Sequence, residues 1–371
     1  MKKKATDPTT PKVIAGVKVP TALNPHLKNI LAKKRKPQGE VADYVRGIRR
    51  GDKVMLSQAI TIIESTLPAD QQLAEQIIEQ CLPFANQSIR LGITGTPGVG
   101  KSTFIEAFGS YLVEQGKQVA VLAVDPSSQI SGGSILGDKT RMEKLSSLPK
   151  VFVRPSPAKS SLGGVARKTR ETMMLCEAAG FDTILIETVG VGQSETLVHS
   201  MVDFFLLLLL PGAGDELQGI KRGIVEMADL VVINKADGDR IKLAKKTRID
   251  YKNALHLFPP KVSQWTATAL TCSALHQEGI AKIWVAIQQY IKLTQQNHYF
   301  NNNRQQQAKY WLEASINQGL QAAFYQNEAV QKERINIEQA VLRSELSPFQ
   351  GAAQLLALFK RQEKRLSLIH I

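Results

Sequence analysis

The chain has 371 residues, 43% of them hydrophobic, enough for a sizeable core and too many for wholesale disorder. Its three cysteines, Cys81, Cys176 and Cys272, are far apart and form no CxxC pair, which excludes a disulfide framework and a cysteine zinc site and fits a reducing compartment. The net charge of +14 could serve nucleic acid or an anionic membrane, yet much of it lies in KKK (2–4) and KKRK (33–36), with no interleaved aromatic residue to stack on bases.

Residues 1–38, rich in Pro, Thr and Lys, are expected to form a flexible basic arm. No apolar stretch follows the first lysines, so they do not read as a secretory signal, and the expected location is cytoplasmic. Residues 39–86 read as an N-terminal helical segment: Val54, Leu56, Ile60, Ile62 and Ile63 share a broad stripe, and Pro68 stands near a helix start.

From residue 88 strand-like runs alternate with helical ones. The strands are predicted over 88–94, 118–125, 150–155, 182–188, 203–210 and 229–235, with helices such as 101–115, 165–179 and 219–228 between them. The most apolar run, Phe204 to Leu210, falls far short of the ~18 residues of a membrane helix and suits a central strand buried on both faces. This alternation predicts an α/β fold with a mostly parallel central sheet flanked by helices, its ligand site beyond the carboxyl ends of the strands. We place that domain at 87–290. Residues 291–371 are predicted helical, with a break at Ser347-Pro348, and contain no recognisable catalytic constellation.

Just after the first of these strands comes GTPGVGKST, residues 95–103. Gly95, Gly100, Lys101 and Ser102 satisfy the P-loop pattern between a strand and a helix. Glycines let backbone N–H groups curl around phosphate oxygens, and the start of the following helix adds partial positive charge. The whole run, Gly95, Thr96, Pro97, Gly98, Val99, Gly100, Lys101, Ser102 and Thr103, is therefore a candidate cradle for a nucleoside triphosphate. Lys101 should reach the β- and γ-phosphates, and the Ser102 hydroxyl should bind Mg²⁺. One or two carboxylates are expected beside that ion. Asp125 and Glu187 end strands, and Asp138 lies in a Gly- and Ser-rich loop. Gly190 could offer its N–H to the γ-phosphate, and Gln193 could orient the attacking water, although it comes three residues after that glycine rather than immediately after it. Lys101, Glu187 and Gln193 are the candidate catalytic residues.

The base is read further on. Asn234-Lys235-Ala236-Asp237 ends a buried strand, and a carboxylate at Asp237 can accept from both the ring N–H and the exocyclic amine of guanine. Adenine lacks that donor pair and would leave the carboxylate unpaired. Asn234 would secure the loop, and the Lys235 stem would lie along the ring. Ser273, Ala274 and Leu275 follow, with the Ala274 N–H placed to meet the guanine carbonyl. GTP, with GDP as product, is the expected nucleotide.

ITGTPGVGKSTFIEAFGSYL, VAVLAVDPSS, SGGSILGDKTRM, LGGVARKTRET, ETVGVGQSE, PGAGDELQGIKRGIVEMADLVVINKADGD and SAL together resemble the MeaB/ArgK group of P-loop GTPases from about Gly51 to Ala274, with a looser helical continuation. The resemblance implies a homodimer whose C-terminal helices pair. It also implies a metallochaperone for adenosylcobalamin-dependent methylmalonyl-CoA mutase, or a related mutase, that gates cofactor loading and protects or reactivates the enzyme. By the same matches Lys101, Ser102, Asp125, Asp138 and Glu187 are the phosphate and magnesium residues. The loop 212–221, with Asp215, Gln218 and Lys221, would be an additional switch facing the mutase. Thr96 stands where valine is more usual. A low intrinsic rate is expected, since no arginine is evidently poised in cis, with Arg141, Arg167 and Arg170 as the exceptions to check. The older ArgK reading, an ATP-dependent kinase of a lysine, arginine and ornithine transport system, conflicts with Asp237. A nucleic-acid regulator rests on charge alone, and a nickel-insertion GTPase would need a His or Cys cluster that the six histidines do not form. No nucleic-acid or membrane partner is expected.

Overall fold

The computed structural model describes residues 39–124, 142–155, 162–188, 194–212 and 222–369, leaving aside the side chains of 162, 163, 194 and 362–369. Three helices open it, α1 (Val41–Arg49), α2 (Lys53–Glu64) and α3 (Pro68–Cys81). Asp52 starts α2 by accepting from the N–H groups of Val54 and Met55 at 2.8 and 3.2 Å. Pro68 opens α3, where its missing N–H has no helical partner to lose.

The sheet follows: β1 (Ile89–Gly95), β2 (Val119–Val124), β3 (Val151–Arg154), β4 (Thr183–Thr188), β5 (Phe204–Leu209), β6 (Leu230–Ile233) and β7 (Thr268–Thr271). Their order is β3-β2-β4-β1-β5-β6-β7, and every pairing is parallel. From β1 the chain steps out through β2 to β3 at one edge and returns to β4 beside β1, and from β5 it runs to the other edge. The carboxyl end of β1 therefore sits where the winding reverses, the place at which open α/β sheets hold ligands. The sequence pattern signals six strands. The seventh, β7, reads TALT with Ala269 its one buried residue, so no apolar run marks it.

Both faces of the sheet are covered by helices, which explains the near-continuous apolar strands. In β5, Phe204, Leu206 and Leu208 face one core, with Phe104 and Phe108 of α4 (Lys101–Glu114) and Trp284 and Tyr290 of α10 (Ile280–Gln296). Phe205 faces the opposite core, built with α1, α2, α3 and the helix α6 (Leu162–Ala178). Leu207 and Leu209 meet Ala244, Tyr251 and Leu255 of α9 (Ile241–Leu255). The short helices α5 (Glu143–Ser146), α7 (Ser194–His199) and α8 (Arg222–Met227) complete the connections. The chain ends in α11 (Tyr299–Gln326), α12 (Glu328–Leu342) and α13 (Pro348–Ile369), with the break at Ser347-Pro348 as expected and an earlier one at Asn327.

A polar rivet fastens the amino ends of the strands. Arg90 of β1 meets Glu177 of α6 with two parallel contacts, Nε to Oε1 at 2.9 Å and Nη2 to Oε2 at 3.0 Å, and Ser88 and the Asn86 N–H also donate to that carboxylate. Arg304 of α11 holds Asp203 through both oxygens, at 2.8 and 2.6 Å, and reaches the carbonyls of Asn86 and Ser88. Desolvation alone would push Glu177 up. The Arg90 charge and the bonds from Arg90, Ser88 and Asn86 outweigh it, so its carboxyl lies below the ordinary range. A depressed carboxylate stabilises the fold above its unfolded pKa, and that stabilisation fades as pH falls through the folded value. E177Q should therefore cost about 3–5 kcal/mol at neutral pH. The gap between variant and parent in urea midpoint should narrow below about pH 4.3, the unfolded value. A gap that is constant with pH would contradict this.

Candidate nucleotide site

β1 delivers the chain to Gly95, and α4 begins at Lys101. Between them Gly98 and Gly100 take φ of +79° and +91°, left-handed conformations that side chains resist. The cradle is tight at its ends. A Cβ on Gly95 would stand 2.5 Å from the Leu208 carbonyl oxygen, and one on Gly100 would stand 3.0 Å from Asn234 Nδ2. Val99 is fully buried and pins the loop into the core, while Pro97, Gly98 and Thr103 are exposed. The unpaired N–H groups that open α4 lie at the mouth of this loop, the arrangement that binds phosphate.

Lys101 is 9% exposed, and its Nζ donates to the carbonyls of Gly95 at 2.8 Å and Thr96 at 3.3 Å. Burial pulls its pKa down, against the charges of Glu187 and Glu195, which support the ammonium. Ser102 Oγ donates to Glu187 Oε1 at 3.3 Å, so the sheet brings the hydroxyl of α4 and the carboxylate of β4 together. Beside them Thr188 Oγ1 donates to Thr94 Oγ1 at 2.7 Å, tying β4 to β1 at their carboxyl ends. That contact, and the placement of Glu195 near Lys101, follow from the pairing of β1 with β4, which sequence spacing does not reveal.

The base loop is coupled directly to the phosphate loop. Asn234 Nδ2 donates to the Val99 carbonyl at 2.9 Å, and its Oδ1 accepts from the Ala274 N–H at 3.2 Å and from Cys272 Sγ at 3.3 Å. Lys235 is held at φ +57°, and its Nζ reaches the Gly98 carbonyl at 2.8 Å, so its stem spans the space between the two loops. A non-glycine residue in that conformation is strained, and its neighbours fix it there. Ser273 Oγ donates to Asp237 Oδ2 at 2.6 Å and accepts from the His276 N–H, orienting the half-buried carboxylate. Leu275 is 74% exposed beyond it. The Ala274 amide is thus engaged by Asn234, a partner the sequence does not signal.

Asp125, Asp138, Gly190, Gln193, Asp215, Gln218, Lys221 and Arg141 lie outside the described residues. Gly212, at the start of the 212–221 segment, donates its N–H to Thr247 Oγ1 of α9 at 2.9 Å. Arg167 binds Glu171 at 2.7 Å, and Arg170 donates to the Gln307 carbonyl at 3.2 Å. Both arginines are thereby committed to other partners.

Because Asn234 serves both loops, N234A should weaken GTP and GDP alike. Losing the two main bonds, at about 0.5–1.5 kcal/mol each, predicts a drop of about 10- to 100-fold in affinity, read by fluorescent-nucleotide titration. A variant that weakened GTP alone would show that the coupling acts only through the γ-phosphate.

The family model described as methylmalonyl-CoA mutase-associated GTPase MeaB matches residues 56–329. The GTPase ArgK of Escherichia coli is 44% identical over 325 residues, which span 88% of this chain and 98% of that protein. The mitochondrial methylmalonic aciduria type A homolog of Mus musculus is 43% identical over 335 residues, 88% of this chain and 81% of that one. Among solved structures, a LAO/AO transport system kinase superposes with a TM-score of 0.69 at 38% identity, covering 88% of this chain and all of the other.

Proposed function

The chain belongs to the methylmalonyl-CoA mutase-associated GTPase family and hydrolyses GTP, and we propose that it uses that hydrolysis to time the loading and protection of a cobalamin-dependent acyl-CoA mutase. Family membership and the mutase named in the family description support the partner. The observation that carries the nucleotide reading is Asn234, which binds the phosphate loop and the base loop with one side chain.

In this reading the α4 amides and the glycine loop hold the phosphates. Lys101 exchanges its two carbonyl partners for the β- and γ-phosphate oxygens and meets the charge that develops as water attacks the γ-phosphorus and the bond to the β-phosphate oxygen breaks. Asp237, oriented by Ser273, accepts from guanine, and the Lys235 stem supports the ring. Gln193 orients the water. The hydroxyl of Ser102 beside the carboxylate of Glu187 is a hard oxygen set that fits Mg²⁺, with Asp125 and Asp138 as further ligands. Held there, the ion would supply positive charge to offset that of the phosphates.

The 212–221 segment carries nucleotide state to the mutase, starting from its anchor on Thr247. A homodimer is supported by Leu312, Ile316 and Leu320, exposed at four-residue spacing along α11, together with exposed Phe349 and Leu356 of α13. No described helix is long and apolar enough to cross a membrane, and we place the protein in the cytoplasm. Size-exclusion chromatography with purified methylmalonyl-CoA mutase tests the partner. Co-elution that depends on whether GDP or a non-hydrolysable GTP analogue is present supports the timer. Separate elution with both nucleotides would overturn it.

A further inference from the structure

At the opposite end of the sheet from the phosphate loop lies a second cavity of about 660 Å³. It opens where β5 and β6 begin, between α8, the chain after α9, and the start of α11. Its volume is in the range of small-molecule sites, roughly 300–1,000 Å³.

Two features of its wall call for a ligand. Tyr290 is 3% exposed, its ring packed edge-on against Phe204 and Trp265 with centroids 5.0 and 5.6 Å away, and its hydroxyl has no hydrogen-bond partner among the described residues. The Tyr299 hydroxyl, on the same cavity, has none either. Tyr290 is a buried side chain whose hydroxyl is reached from the cavity, and Tyr299 is half-buried beside it, so two oxygens stand ready to hydrogen-bond a ligand there. The second feature is charge. In a chain of net charge +14, this wall carries three carboxylates, Asp203, Glu226 and Asp229, with Lys261 on the wall and Arg304 and Arg222 beside it. Asp203 is neutralised by Arg304, and Asp229 by Lys261 at 2.8 Å, but Glu226 is exposed and has no partner among the described residues. The Asp229 charge and burial both hold the two tyrosines in their neutral, hydrogen-bonding form.

The remaining wall is aromatic, and one of its rings, Phe258, already has a cation against it, the Arg222 guanidinium at 5.7 Å. With Asp203 and Asp229 paired, Glu226 is the carboxylate that disfavours an anion, and the two hydroxyls disfavour a plain hydrocarbon. From the cavity, the two free hydroxyls, the unpaired Glu226 and the aromatic faces, we infer that this is a binding site for a small organic cation, a primary ammonium or guanidinium on a short carbon chain. The carbon chain lies against the aromatic wall, with the cationic head near Glu226 and the tyrosine oxygens. This site stands apart from the nucleotide reading and does not rest on it.

Saturation-transfer NMR on the full chain, with GDP added, tests it using n-butylammonium, n-butylguanidinium and butyrate as probes. Both cations should receive transfer and butyrate none. The Y290F/Y299F variant, which keeps both rings and should keep its melting temperature, should bind the cations at least about tenfold more weakly, and E226Q should weaken them in the same direction. Equal transfer to butyrate and butylammonium, no transfer to either cation at about 10 mM, or cation binding unchanged in both variants would each overturn the assignment.

Discussion

K101A is expected to lower GTP turnover by about 10²–10³-fold while leaving the protein folded. Lys101 supplies a buried ammonium inside the cradle, its Nζ against the carbonyls of Gly95 and Thr96 at the mouth of α4. Those carbonyls are neutral partners, and the ammonium gains far more from phosphate oxygens whose charge grows in the transition state. K101R should not rescue turnover, because a planar fork does not fit the point-charge position that the loop leaves. Single-turnover phosphate release measures both variants. Turnover within twofold of the parent would remove Lys101 from the chemistry.

D237N should exchange one base for another. Its carboxylate, fixed by Ser273 at 2.6 Å, would lose two charge-assisted bonds to guanine. At about 1.5–3 kcal/mol each, that predicts a fall in GTP affinity of about 10²–10⁴-fold. The amide that replaces it offers one acceptor and one donor, which match the ring N–H and the added carbonyl of xanthine. Xanthosine triphosphate should therefore bind D237N better than GTP does, and the parent worse. Competition against a fluorescent nucleotide reads both. Undiminished GTP affinity in D237N would move base recognition elsewhere.

The fold was largely legible because its signals are local. The apolar run at β5 is continuous because both of its faces are buried, by Phe104 and Trp284 on one side and Tyr251 on the other. The phosphate loop was legible because its glycines answer to backbone geometry at fixed spacing. What stayed hidden depends on register. Thr94 meets Thr188 only because β1 pairs with β4 rather than with β2, an order that spacing along the chain does not encode, whereas Ser102 and Glu187, which the motifs already place beside one ion, do come together. The engagement of the Ala274 amide by Asn234 is equally non-local. β7 was missed because its two threonines and one buried alanine make no apolar run, and the Tyr290 cavity because its wall is gathered from β5, α8, α10, α11 and the loop after α9.

The most direct measurement is hydrolysis of GTP and ATP by the purified protein, with and without methylmalonyl-CoA mutase. The account predicts turnover of GTP alone, slow in isolation and faster with the mutase. ATP turned over as readily as GTP would contradict the role of Asp237 and favour a kinase, and GTP turnover indifferent to the mutase would contradict the timer.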